Sequence, residues 1–192
     1  LGVEIEVLEA PARRGVDPQM VEDRLRADTA HEFKAVLVVQ IDTATGVWND
    51  IAAIRSKHAA PVSVDESLVT LQDATRIARD GLAEVFGLKL NRVGGLTKAA
   101  RMRDVALAHG IDMFIMATGG SVLADTEALH LAATIPDGNC RAVWACQDMI
   151  TVDIAGGRGP RATDGHLHLS DAPGLGVHPD EAALGAPVAE FA

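Results

Sequence analysis

Tyrosine is absent from these 192 residues, and the other aromatics are four Phe and two Trp. Proteins that stack single-stranded nucleic acid need aromatic platforms, so that role has little to work with. Positive charge is also short: 17 Lys and Arg face 27 Asp and Glu, for a formal charge of −10. Phosphate backbones are gripped by cationic side chains, which argues against nucleic acid as a partner. No apolar run approaches the roughly 18 residues that span a bilayer. No charged-then-apolar leader is visible at the start, so no membrane partner is expected. Cysteine is scarce. Cys140 and Cys146 share one segment, with no nearby Cys or His pair to make a zinc site. They are expected to be buried thiols in a reduced, cytoplasmic, soluble protein.

What is present is enough apolar material for a core, 48% of residues, and a repeating rhythm. Val3–Leu8 and Ala35–Val39 read as strands, the second as a run covered on both faces. Between them Asp17 is a good N-cap and Pro18 suits the first helical position, where its missing N–H costs nothing. Asn49 or Asp50 caps a short helix through Ser56. From there the pattern is regular. Pro61–Val64 is a strand that ends at Asp65-Glu66. Thr70 and Asp73 make a capping box for a helix to about Asp80. Val85–Leu90 is a strand, and a helix from Leu96 ends at His109 with Gly110 as its C′ residue. Asp112–Met116 is a strand, about Asp125–Thr134 a helix, and Ala142–Ala145 a last short strand. Gly165–Leu169 alternates like a segment capping the sheet edge.

Asp65, Lys89, Met116 and Ala145 fall 24 to 29 residues apart. A βα unit repeated at that length implies a parallel sheet, open or closed into a barrel. The residues just after each strand then share one face, where such folds keep their chemistry. Asp65 and Lys89 are charged residues at successive strand ends. A carboxylate there can hold a hard divalent cation. A lysine there can take a proton from carbon if its surroundings suit. The plainer reading makes Asp65 a turn cap and Lys89 a solvated strand end. His166 and His168 alternate on one face, and surface histidines are expected there. No GxGxxG follows a strand, so no dinucleotide site is expected.

Several segments carry a resemblance. PVSVDESL at Pro61–Leu68, GLKLNRVGGLTKA at Gly87–Ala99, MATGGSVLADTEALHLAAT at Met116–Thr134 and PGLGVHPDE at Pro173–Glu181 resemble the C-terminal barrel domain of the enolase superfamily. The branch is that of mandelate racemase and muconate lactonizing enzyme, and within it the motifs are most similar to cis-3-hydroxy-L-proline dehydratases. The resemblance covers residues 54–192 and implies an α/β fold, a partial (β/α)8-type barrel of successive βα units. It implies Asp65 as a Mg2+ ligand and Lys89 as the catalytic acid/base. Thr118, Gly119, Gly120 and Ser121 would lie beside the substrate, with Asp125 in the same segment. The implied substrate is a small amino or hydroxy acid, and the reaction removes its α-proton and expels a 3-hydroxyl.

The family also uses a Lys-x-Lys pair and two earlier metal carboxylates. The lysines here are Lys34, Lys57, Lys89 and Lys98, no two of them two apart, and nothing upstream of Asp65 matches the earlier ligands. Weak or absent dehydratase activity is therefore expected. Residues 1–53 instead resemble a βαβ fragment of class V aminotransferases, of the serine– or alanine–glyoxylate type. There Gln40–Gly46 places Thr43 at a position that touches pyridoxal phosphate, although Asp42, Thr43 and Gly46 are also ordinary turn formers. That family's Schiff-base lysine has no counterpart. Half a barrel would leave an apolar inner face and two strand edges open. A homo-oligomer, the N-terminal segment or a separate partner is expected to cover them.

Overall fold

The computed structural model describes residues 4–41, 44–56, 61–146 and 149–189. The chain divides into two compact units, Leu1–Ala60 and Pro61–Ala192.

In the first unit Asp17 is extended and its carboxylate accepts the Gln19 N–H at 2.9 Å, so with Pro18 behind it α1 (Pro18–Ala27) starts as expected. Val21 on this helix is buried. Arg24 stacks over the Phe33 ring, 4.3 Å from its centroid, and forks onto both oxygens of Glu6. Asn49 pins the chain on both sides: Oδ1 accepts the Val16 N–H and Nδ2 donates to the Val39 carbonyl, each at 2.7 Å. Then α2 (Ile51–Ser56) follows.

The two strands expected in this unit do not form among the described residues. Val3 lies outside them, and neither 4–8 nor Ala35–Val39 is a strand. Only an isolated antiparallel bridge, Ile41 to Trp48, is present. The expected βαβ segment is thus reduced to its helices. Ile5 is 82% exposed and Leu37 92%. A β-branched run suits a pleated, half-buried surface, but it becomes a strand only when a neighbouring backbone pairs with it. Thr43, the implied pyridoxal phosphate contact, lies outside the described residues.

The second unit is built of successive βα units. Pro61 offers no N–H, and the Val62 N–H goes to the Glu84 carboxylate at 2.8 Å rather than to a strand. The ladder of β1 is therefore only Ser63–Val64. Thr70 and Asp73 form the full reciprocal capping box of α3 (Leu71–Arg79). Next, β2 (Val85–Lys89) passes without a loop into the single turn α4 (Leu90–Val93), so Leu90 is helical rather than the last strand residue. Gly94, at φ 88°, ends that turn, and α5 (Leu96–Ala108) follows, closed by His109 and by Gly110 at φ 67°. Then come β3 (Asp112–Met116), α6 (Val122–Ala132), β4 (Cys140–Trp144) and a last turn, α7 (Glu181–Leu184). Helix α6 begins three residues earlier than expected because Ser121, not a later residue, caps it.

The four strands form one sheet in the order β1-β2-β3-β4, every pair parallel. This is the expected α/β architecture and is consistent with a partial barrel. Phe86, Leu88, Met113 and Ile115 have no exposed surface and form the core with Ile77, Met102, Ala128 and Leu131. A Cβ at Gly87 would run into the Phe114 ring, so a larger residue there would have to push that ring aside. Gly165–Leu169 is not a strand. It carries only the Thr163–His166 bridge. Among the described residues no helix is long and apolar enough to cross a membrane.

Candidate active site at the strand ends

Parallel pairing places the carboxyl ends of neighbouring strands side by side. Lys89, the last residue of β2, is in register with Met116 of β3. Asp65 and Glu66 directly follow β1. The Lys89 ammonium reaches both carboxylates, at 2.7 Å from Asp65 Oδ2 and 2.6 Å from Glu66 Oε1. Because α4 starts at once, Arg92 stands three residues on along a helical turn and shares that side. Its NH1 lies 3.3 Å from Asp65 Oδ1 and its NH2 2.5 Å from Glu66 Oε2.

The result is a four-group cluster of two carboxylates and two cations. Lys89 is buried, its side chain 6% exposed, whereas that of Glu66 is 72% exposed. Hydrogen bonds from Lys89 and then Arg92 hold the Glu66 carboxyl below the usual carboxylate range, against a small opposing effect of desolvation. The two residues singled out from spacing, Asp65 and Lys89, thus touch. Glu66 and Arg92 complete the cluster and were not singled out. Their signal is the adjacent Asp-Glu pair and the three-residue step from Lys89 to Arg92.

The loop after β3 lies against the same end of the sheet. Thr118, at φ 56°, donates its hydroxyl to Asn91 Oδ1 at 3.0 Å, and Asn91 sits between Lys89 and Arg92 on α4. The Gly119 N–H points at Cys146 Sγ, 3.0 Å away. Gly120 packs where a Cβ would come within 2.7 Å of Ala124 Cβ. Ser121 is spent on capping α6. Asp125 is different. It is 1% exposed, and its Oδ1 accepts the Cys146 N–H at 2.8 Å, so its carboxylate anchors the segment after β4. Both thiols are free. Cys146 is buried and Cys140 half-buried, with burial raising the Cys140 thiol above its ordinary value. His166 is exposed, with Nδ1 2.8 Å from the Asp164 carbonyl.

The Mg2+ implied by the resemblance does not fit the residues described. No group of three or more His, Cys, Asp or Glu able to hold a metal occurs among them. Magnesium demands an octahedron of oxygens. Both oxygens of Asp65 already face cations, and so do both oxygens of Glu66.

Open α/β sheets bind ligands outside the carboxyl ends of their strands, and that end here carries a buried lysine with two carboxylates. The chain belongs to the Enolase C-terminal domain-like family, which matches residues 46–183. It is 34% identical over 178 residues to the cis-3-hydroxy-L-proline dehydratase of Roseibium aggregatum, covering 90% of this chain and 48% of that protein. A solved structure from Silicibacter pomeroyi, assigned to mandelate racemase/muconate lactonizing enzyme, shares 58% identity at a TM-score of 0.70. That likeness covers 92% of this chain and 55% of the other. A Roseovarius nubinhibens structure with the same assignment, complexed with magnesium, shares 28% identity at a TM-score of 0.71, over 90% of this chain and 46% of that one. The chain therefore spans about half the length of these relatives. Matches of this extent reach into residues 1–53, and they lend no support to the aminotransferase resemblance read there.

Proposed function

We propose that this chain carries the Lys89 part of a carbon-acid site acting on a small amino or hydroxy acid, with cis-3-hydroxy-L-proline as substrate and dehydration as reaction. The observation that carries this is the buried Lys89 ammonium at the end of β2, held beside Asp65 from the end of β1. The similarity to a dehydratase supports the choice of substrate.

Lys89 takes the proton from the carbon next to the substrate carboxylate. The electron pair left behind expels the 3-hydroxyl, which takes up a proton and departs as water. The enamine then rearranges to a cyclic imine acid. Lys89 must leave part of its ion-paired cluster to reach the substrate. Glu66 is the partner that can move aside, because its side chain is exposed and such pairs are weak. Thr118–Ser121 would flank the substrate, and Asp125 would fix the segment after β4 beneath it. One carboxylate already paired with two cations, and no Lys-x-Lys pair, make slow turnover part of the proposal.

The test incubates the chain with cis-3-hydroxy-L-proline in deuterated water. Exchange at the α-carbon is read by NMR and loss of water by mass spectrometry. Both signals are expected from the wild type and neither from Lys89→Ala. Equal signals from the two proteins, or none from the wild type with saturating magnesium added, overturn the assignment.

A further inference from the structure

Glu66 is the odd member of the cluster. Its side chain is mostly in water, yet Lys89 holds one of its oxygens and Arg92 the other, at 2.6 and 2.5 Å. A carboxylate bridging two cations through separate oxygens is what a carboxylate ligand would do at the same place. Neither cation depends on Glu66 for its position. Lys89 is buried at the end of a strand, and Arg92 rides on a turn stopped by Gly94. Both also keep Asp65 as a partner, at 2.7 and 3.3 Å. With Glu66 in place the four groups sum to no net charge. With Glu66 swung into water, the remaining three carry one positive charge, which a monoanion cancels.

We propose that Lys89 and Arg92 form a binding site for a small carboxylate, that Glu66 occupies it in the unliganded chain, and that the ligand enters by displacing Glu66 while Asp65 stays. This deepens the reading above and rests on it only for the choice of a small acid as ligand. Binding uses the Lys89 ammonium and proton abstraction uses the amine, so binding and exchange can fail separately. With Glu66 displaced, the three groups left carry a net positive charge, which suits an anion and disfavours a metal cation.

The test titrates acetate into the full chain at constant ionic strength, with acetamide as the uncharged twin. Binding is followed by the NMR signal of the Arg92 side-chain N–H. A saturable shift is expected with acetate and none with acetamide. Removing a competitor raises the competent fraction, so Glu66→Gln and Glu66→Ala should each tighten the apparent Kd by up to about fivefold. Arg92→Met added to either should abolish saturation. A linear, salt-like response of the wild type, or an unchanged Kd in both Glu66 variants, overturns the proposal. The wild-type titration decides it even if a variant fails to fold.

Discussion

Residues 1–60 and 61–192 hold the same kinds of apolar run and use them in opposite ways. In the second unit Phe86, Leu88, Met113 and Ile115 alternate along paired strands and lose all contact with water. In the first, Ile5, Val7, Leu37 and Val39 stand between 61% and 92% exposed, and among the described residues the buried apolar side chains are Val21 and Ile54. Apolar composition does not separate the two. What does is a neighbouring backbone to pair with, since a strand without one gains neither its hydrogen bonds nor a covered face. The difference also locates the chemistry: the described ends of strands that could hold a side chain in register all belong to the second unit.

Breaking the second unit should be far easier than breaking the first. Phe86→Ala removes a fully buried ring from the sheet, and the expected loss is about 3–5 kcal/mol of stability, read by urea unfolding. A loss below about 1 kcal/mol would mean that the sheet is not the core. A smaller effect tests the strand ends by pH. The folded Glu66 carboxyl titrates below its ordinary value of 4.5 because of Lys89 and Arg92. Its contribution to stability is therefore complete above the unfolded value and fades as pH falls through the lowered one. The difference in unfolding free energy between wild type and Glu66→Gln should be small near neutrality, within about 1 kcal/mol for so exposed a pair. It should then close on acidification. A gap that widens instead reverses the sign and removes the ion pair as its cause. Smallest of all is Leu37→Ser. At 92% exposure this change should stay within about 0.5 kcal/mol by the same unfolding measurement. A loss as large as that of Phe86→Ala would show that the first unit has a core of its own.

Much of the second unit was legible because its signals are local. Asp73 three residues after Thr70 specifies a cap whatever the rest of the chain does. The spacing of 24 residues from Asp65 to Lys89 set those two at successive strand ends and the resemblance paired their roles; the structure has them in contact. What was illegible depends on partners distant in sequence. Ala35–Val39 has every residue a strand wants and no strand to pair with. Arg92 joins the cluster only because β2 ends at Lys89 and not at Leu90. That one-residue difference turns an extended step into a helical one and carries the guanidinium round to the carboxylates. Asp125 looked like a group facing the substrate. Its burial is a property of the packed helix α6 and is not written in its neighbours.

The contacts at Cys146 have a practical consequence. Its sulfur receives the Gly119 N–H and its own N–H goes to Asp125. A single inaccessible thiol therefore clasps the loop after β3 to the segment after β4. A reagent can reach that sulfur only when the clasp lets go. With Cys140 as the one other thiol in the chain, the slow phase of labelling becomes a built-in clock for how often this end of the sheet opens.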